Sequence, residues 1–304
     1  MADITDEVFA DRALLIVGLG DLGSGLAEVL AGRGARVTGV RRGADAPPGV
    51  GLVRADASDP LALGAIEGAY DAAVICVTPS SADEAGYRAG YLAVAEACAA
   101  RFEALGVPRV LWVSSTSVYG SGDGDEIDDD APTSPDGFRG RVLLEAELAL
   151  RERVPTTAVR LSGVYGPGRH AVLRSVLSGA GAPAEPVQWT NRIHRDDAIA
   201  VLTFLLARSF EGELLPDAIL ATDPSPTPRH QVLAWLAKRT KVELDRTSDA
   251  PHRGGNLRLI PRRLLELGYR FVHPDYRSGF EAIVAPLEAS GELDALRRVV
   301  GSGR

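Results

Sequence analysis

The feature that most restricts this chain is a junction near its N-terminus. An unbroken apolar run, RALLIV, leads into Gly18-Leu-Gly20-Asp-Leu-Gly23, and that turn opens directly into LGSGLAEVLAGRG, a helix-forming stretch closed by glycine. A short run without polar alternation has no face for water, so it predicts a strand buried on both sides, as in a parallel sheet covered by helices. The G-x-G-x-x-G spacing is a weak signal alone. A strand before it, a helix after it and a second strand, ARVTGVRR, beyond are the context in which it cradles a dinucleotide. Gly18 permits the tight turn, Gly20 lets the backbone approach a pyrophosphate, and Gly23 brings helix and sheet together. Asp21 and Leu22 lie within the turn and are counted with its cofactor-binding residues. The helix N-terminus offers free N–H groups and a partial positive charge to phosphate. The alternative is a glycine-rich strand–helix turn without a ligand.

The alternation continues. VGLVRAD predicts a third strand, DPLALGAIEGA a helix capped by Asp59 with Pro60 at its first position, and YDAAVICVTP a fourth strand. Asp83 to Leu105 reads as a long alanine-rich helix, VPRVLWVSS as a fifth strand and TTAVRLSGVYG as a sixth. Strands alternating with helices imply right-handed crossovers and an α/β fold, here a Rossmann-type doubly wound parallel sheet. A smaller C-terminal substrate-side region is expected where the alternation loosens and prolines gather, as in APAEP and DPSPTP. The boundaries on this reading are 1–165 for the NAD(P)-binding domain, its sheet completed by 187–224, with 166–186 and 225–304 forming the smaller region. Ser121 to Gly137 is an acidic, turn-rich loop, long for a compact domain, and so either a mobile surface segment or a lid.

The 304-residue chain has a formal net charge of −8, which argues against nucleic acid as a partner. Polyanion binding needs a basic surface that displaces counterions. No apolar run approaches the roughly 20 residues that cross a bilayer, and MADITDEVFADR has no signal-peptide pattern, so a cytoplasmic protein without a membrane partner is the default expectation. Two cysteines, Cys76 and Cys98, exclude a disulfide framework or a four-cysteine metal site. His170, His194, His230, His252 and His273 are scattered, without H-x-x-x-H or H-E-x-x-H, so no metal site is expected. G-x-S-x-G is absent, and the acidic run Asp123 to Asp130 lacks the spacing of a calcium loop. The second strand ends Val40-Arg41-Arg42, without the acid that in an NAD site accepts bonds from the ribose 2′-OH. Arginine there pairs with a 2′-phosphate through charge-assisted bonds, so NADP(H) is expected in preference to NAD(H). The alternative is two solvated surface arginines.

With these pieces assembled, the chain resembles the extended and atypical branches of the short-chain dehydrogenase/reductase superfamily, the NAD(P)-dependent epimerase/dehydratase-like proteins. The likeness runs from Leu14 to about Gly279. Besides the glycine turn it rests on RADASDP (Arg54 to Pro60), WVSSTSVYG (Trp112 to Gly120), GRVLLEAE (Gly140 to Glu147), VRLSGVYGPGR (Val159 to Arg169) and NRIHRDDAIAVL (Asn191 to Leu202). It implies that Asp56 contacts the adenine amino group and that Thr78 lies where the chain passes the ribose and nicotinamide. It also implies that Ser115 is the active-site hydroxyl and that Ser162, Gly163 and Val164 border the nicotinamide. Without the resemblance, Asp56 is a turn residue, Thr78 with Pro79 ends a strand, and Ser114 and Ser115 are strand-end hydroxyls.

One departure stands out. The resemblance calls for Tyr-x-x-x-Lys, two residues on one helix face whose lysine lowers the tyrosine pKa for proton transfer. Arg139 and Leu143 hold those positions. Arginine is a poor proton donor because its own pKa exceeds 12, and leucine cannot tune a neighbour. Tyr119, Tyr165 and His194 are the candidates to replace the lost acid. Each also has a plain structural role: a packed, hydrogen-bonded tyrosine, or a histidine capping the helix that starts at Asp196-Asp197. Arg169 either binds an acidic substrate group or lies on the surface. The expected function is an NADP(H)-binding oxidoreductase or epimerase-like enzyme acting on a small carbonyl or hydroxyl substrate. The alternative is a catalytically silent NADP(H)-binding sensor or interaction protein. Leu92, Ala95, Ala99 and Phe102 recur at helical spacing and either support a homodimer or face the sheet.

Overall fold

The protein is described by a computed structural model over residues 5–249 and 255–301. His252 lies outside the described residues. The strands that position the site are β1 (Ala13–Val17), β2 (Arg36–Arg41), β3 (Gly51–Arg54), β4 (Ala72–Ile75), β5 (Val110–Ser115), β6 (Thr156–Leu161), β7 (Gly163–Tyr165), β8 (Arg192–His194) and β9 (Ala218–Ala221). Among the described residues, seven of them form one parallel sheet in the order β9-β6-β5-β4-β1-β2-β3, while β7 and β8 pair in parallel with each other. The order reverses between β1 and β4, which opens a crevice outside the carboxyl ends of the strands. Leu14 sits between Val37 and Ala72, at the centre of the sheet.

The helices that position the site are α1 (Asp21–Gly32), α2 (Ala93–Leu105), α3 (Phe138–Arg151), α4 (Ala171–Leu177), α5 (Arg195–Phe210), α6 (Arg229–Thr240) and α7 (Tyr276–Ala289). Side chains alternate across a strand, so β1 sends Leu14 and Ile16 to one face and Leu15 and Val17 to the other. On the first face they meet Leu22, Leu26 and Leu30 of α1 and Leu202 and Leu206 of α5. On the second they meet Phe102 of α2 and Leu143, Ala146 and Leu150 of α3. This double burial is why RALLIV carries no polar alternation. The C-terminal helices α4, α6 and α7 enclose a separate cluster that includes Leu173, Leu236, Phe280 and Val284, and Tyr165 at the end of β7 reaches into it.

Three expectations from the sequence are changed or resolved. The helix expected over residues 59–69 is only a 3₁₀ turn, Ala62–Ala65. Gly64 and Gly68 weaken a helix there, and the Arg101 guanidinium donates to the carbonyls of Gly64 and Ile66, competing for helical acceptors. The acidic loop, read from composition as free of the body, is latched down on it. Gly122 N and Gly124 N donate to Gly255 O and Asn256 O, and Glu126–Ile127 pairs with Arg258–Leu259. The buried Asp129 carboxylate accepts from Leu220 N and Arg263 N, while Asp128 and Asp130 pair with Arg262 and Arg263. Of the two readings of the Leu92, Ala95, Ala99 and Phe102 stripe, the sheet-facing one fits: Ala95, Ala99 and Phe102 are fully buried against the protein's own sheet and Leu92 is half-buried. The long alanine-rich helix does start at Asp83, whose side chain accepts from Gly86 N, and it passes through a π turn at Arg88–Leu92 before α2. No helix among the described residues is long and apolar enough to cross a membrane.

Candidate functional site

Each glycine of the first turn has its own geometry. Gly18 has φ +97°, its N–H donates to Val40 O at 2.9 Å, and a Cβ there would lie 2.3 Å from Cys76 O. A Cβ on Gly23 would lie 2.0 Å from Gly18 O, so only glycine lets α1 start this close to β1. A Cβ on Gly20 would meet no atom within 4 Å. Neither turn geometry nor internal packing requires glycine there, and the open space lies at the N-terminus of α1, where free backbone N–H groups suit a phosphate. The cradle therefore fits a pyrophosphate. Leu22 turns into the core. The Asp21 carboxylate is held by Arg169 (2.7 Å) and Arg195 (2.5 Å), so two guanidinium groups converge on the same helix end. Partial burial opposes ionisation of Asp21, but the hydrogen bonds and charges of the two arginines outweigh it and hold the carboxyl below its usual range.

The adenosine side lies along the β2 and β3 ends. Arg41 closes β2 with its guanidinium folded onto the next turn, where it donates to Asp45 O at 3.0 Å, and Arg42 is exposed beside it. The Asp56 carboxylate accepts from Ser58 N (3.0 Å) and Ser58 Oγ (2.8 Å). Those bonds, aided by the Arg42 charge, hold it below its usual range. Asp56 thus shapes its own turn and stays exposed. Thr78 is exposed just past β4, and Ser115 ends β5, its Oγ accepting from Ser117 N at 3.3 Å.

At the places where the resemblance calls for tyrosine and lysine, Leu143 is buried in the core and Arg139 is exposed. The Arg139 guanidinium lies over the rings of Tyr87 (5.7 Å) and Phe138 (5.6 Å) and donates to Ala82 O. Gly140 brings α3 against the turn after β5, since a Cβ there would lie 2.3 Å from Ser117 O. Tyr87 and Tyr91 join this wall, and burial pushes the Tyr91 phenol up to about 12.

The three substitute acids are placed differently. Tyr119 is buried and accepts from Arg160 Nη1 at 3.2 Å; Arg160 is in turn paired with the buried Glu147 (2.8 Å), which also accepts from Ser114 Oγ (2.7 Å). Tyr119 therefore belongs to a satisfied internal network. His194 is buried and caps α5, its Nδ1 accepting from Asp196 N at 3.3 Å. Burial, and then the neighbouring His273 ring 4.0 Å away, hold His194 below its usual pKa, so the ring is neutral at pH 7. The histidines are thus not all scattered: the fold gathers His194, Asp196 and His273, although no sequence spacing foretells it. Tyr165 packs edge-on to His194 (5.3 Å) and against Phe280 (4.7 Å). Burial, and then the charge of Asp223, push its phenol well above the usual range. Beside it lie Arg192 and Asp223, which sequence reasoning did not single out. An arginine within NRIHRDD and an aspartate within DPSPTP carry no motif of their own. A separate cavity of about 740 Å³, lined by Ala182, His230 and Leu244 among others, lies in the C-terminal region away from the sheet edge.

A parallel sheet reversing at β1 and β4, a glycine cradle at that reversal and polar side chains along the adjoining strand ends define a nicotinamide-dinucleotide-binding α/β protein. The comparisons with known proteins agree. The sequence pattern of the NAD dependent epimerase/dehydratase family matches residues 14–213, and the chain belongs to that family. Membership places it among NAD(P)-dependent enzymes. Protein YeeZ of Escherichia coli K12 is 29% identical, over 91% of this chain and 100% of YeeZ. A protein of Methylobacillus flagellatus provisionally assigned as an NAD-dependent epimerase/dehydratase is 33% identical, with a TM-score of 0.76 over 91% of this chain and 99% of that one. WbmG of Bordetella bronchiseptica, solved in complex with NAD, shares the fold at 18% identity and a TM-score of 0.74, over 93% of this chain and 96% of WbmG.

Proposed function

We propose that this chain is an NADP(H)-dependent oxidoreductase or epimerase-like enzyme that acts on a small carbonyl or hydroxyl compound with a proton donor other than the family's tyrosine, in the cytoplasm. The open space over Gly20 at the N-terminus of α1 carries the cofactor reading. Gly18, Gly20, Gly23 and the α1 N–H groups hold the pyrophosphate, Asp56 lies on the adenine side, and Thr78, Ser115, Ser162, Gly163 and Val164 line the nicotinamide side. Bound there, the nicotinamide supplies hydride exchange. The preference for the phosphorylated cofactor rests on Arg41 and Arg42 at the β2 end, with no acid beside them. Relatives of similar fold were solved with NAD, WbmG among them and MoeE5 with UDP-glucose as well, so cofactor choice in this chain falls to its own β2 end.

Calorimetric titration with NADPH and NADH tests the preference. A charge-assisted hydrogen bond contributes about 1.5–3 kcal/mol, so Arg41→Ala and Arg42→Ala are each expected to weaken NADPH binding about tenfold or more and to leave NADH unchanged. Equal affinity of the native protein for both cofactors would refute it. The loss of Tyr-x-x-x-Lys to Arg139 and Leu143 favours a second reading, a catalytically silent NADP(H) binder. Absence of any NADPH consumption across a broad panel of carbonyl compounds would select it.

A further inference from the structure

Along β8 and at the carboxyl ends of β6, β7 and β9, five polar side chains are buried yet have atoms without a hydrogen-bond partner among the described residues: Ser162 Oγ, the Tyr165 hydroxyl, Arg192 Nη1, His194 Nε2 and Asp223 Oδ2. Their exposures are 5%, 4%, 7%, 1% and 1%, so water does not serve them as it serves a surface group. Buried polar atoms are nearly always paired, and a cluster of exceptions demands a reason. Folding alone does not supply one, because it gains nothing from a buried guanidinium and carboxylate left apart.

The backbone brings them together. β7 and β8 pair with His194 opposite Tyr165 and Arg192 opposite Gly163, so Tyr165, Arg192 and His194 project to one side of this ribbon. Opposite Arg192, glycine leaves side-chain room. Asp223 N donates to Arg192 O at 2.7 Å, which sets the Asp223 side chain at the β9 end beside that face. Arg192 Nη2 is anchored on Thr190 Oγ1 and the guanidinium lies over the Tyr276 ring at 5.7 Å, leaving Nη1 as the free donor. Helix α7 roofs the group so closely that a Cβ on Gly279 would lie 1.8 Å from the Tyr165 hydroxyl. Arg192, Tyr165 and Asp223 lie within electrostatic reach of one another, but Arg192 and Asp223 close no ion pair. One free N–H donor, one phenol and one free carboxylate oxygen suit a compound that both donates and accepts at a single oxygen, or at two adjacent ones.

We propose that Arg192, Tyr165 and Asp223 form the substrate pocket, in which Arg192 Nη1 and the Tyr165 hydroxyl hold a carbonyl or hydroxyl oxygen of a small hydroxy-carbonyl compound and Asp223 takes up or returns its proton. This rests on the oxidoreductase reading above. With a bound nicotinamide supplying the hydride acceptor, oxidation of a C–H/O–H pair to C=O would release the O–H proton to the Asp223 carboxylate, and with the reduced cofactor as hydride donor, reduction would draw that proton back. The position agrees. The β9 end stands four strand spacings of ~4.8 Å from the β1 end, roughly 19 Å, beyond the span of the cofactor's phosphates and toward its reactive end. The chemistry agrees as well. Burial pushes Asp223 up to about 7 against the pull of Arg192 and the Ser225 N–H, with Asp275 of the α7 cap and Asp197 of α5 adding to the rise. Tyr165 stays protonated throughout, so it donates a hydrogen bond and does not give up its proton.

The test is a carbon-13 NMR titration of protein labelled at its aspartate carboxyls, from about pH 5 to about pH 9, with and without glyceraldehyde and glyoxylate as probes. The Asp223 resonance is the one missing from Asp223→Asn and displaced in Arg192→Lys, so its assignment does not depend on one variant folding. The expected result is a midpoint near neutrality that moves when a probe is added. A midpoint in the ordinary carboxylate range, or a resonance that neither probe moves, would overturn the proposal. NADPH affinity is read in the same samples. Asp223→Asn is expected to keep it within about twofold, because Asp223 is placed against the substrate and not against the cofactor, whereas native protein that fails to bind NADPH refutes the cofactor reading instead. Where turnover is measured with either probe, Asp223→Asn is expected to slow it by about 10²–10⁴ and to abolish the limb of the pH profile near neutrality; turnover and profile left intact in the variant would overturn the assignment of the proton to Asp223.

Discussion

Two buried polar clusters lie near the same edge of the sheet, and they differ in whether they close. In the first, Glu147 accepts from Ser114 and Arg160, and Arg160 donates on to Tyr119, so α3, β5 and β6 are tied through partners that satisfy one another. In the second, Ser162, Tyr165, Arg192 and Asp223 are as deeply buried and stay partly unpaired. Closure marks a group that serves the fold, because its desolvation is offset within the protein. Openness, where several such groups converge, leaves a desolvation cost that the proposed substrate would offset. Tyr119 and Tyr165, equal candidates by sequence, fall on opposite sides of that line.

The largest effect that can break the contrast is expected from Glu147→Ala. It strands a buried arginine and should cost about 3–5 kcal/mol in urea unfolding; a loss below about 1 kcal/mol would mean that the closed cluster does not hold the fold. A comparable effect comes from pH. The folded Asp223 carboxyl is raised from its usual 3.8 to about 7, so through that window the folded state binds more protons than the unfolded one. This group's stabilisation is complete below the lower value and is lost as pH rises through the higher one. Unfolding midpoints measured at both ends should therefore show Asp223→Asn gaining on the native protein as pH rises, and a constant difference would contradict an open, desolvated carboxyl. The smallest effects sharpen the comparison most. Tyr119→Phe removes a satisfied hydrogen bond and should cost about 0.5–1.5 kcal/mol, while Tyr165→Phe removes a hydroxyl with no partner and should be close to neutral for stability. Activity should invert that order, with Tyr165→Phe the more damaging.

How much was legible follows the same division. The cofactor side is read from adjacent residues: the glycine turn closes within six positions, Asp56 bonds Ser58 two residues on, and Arg41 bonds Asp45 four residues on. Such contacts appear as local spacing. The acidic loop reads as free from composition alone, because its partners Asn256, Arg262 and Arg263 stand more than a hundred residues away. The helix expected at residues 59–69 failed for a similar reason, since Arg101 competes for its carbonyls from a distant helix. Arg192 and Asp223 were passed over because each is unremarkable in its own segment and becomes informative only beside the other.

By itself the sequence determined the parallel sheet, through apolar runs that have no side left for water, and the phosphate cradle, through three glycines at fixed spacing between a strand and a helix. Both are consequences of backbone geometry and local burial, which neighbouring residues dictate. Only the tertiary structure decided which polar groups are satisfied, because that depends on partners brought together from distant parts of the chain. The same long-range packing turned the Ala95, Ala99 and Phe102 stripe inward and set Asp223 beside Arg192 without pairing them.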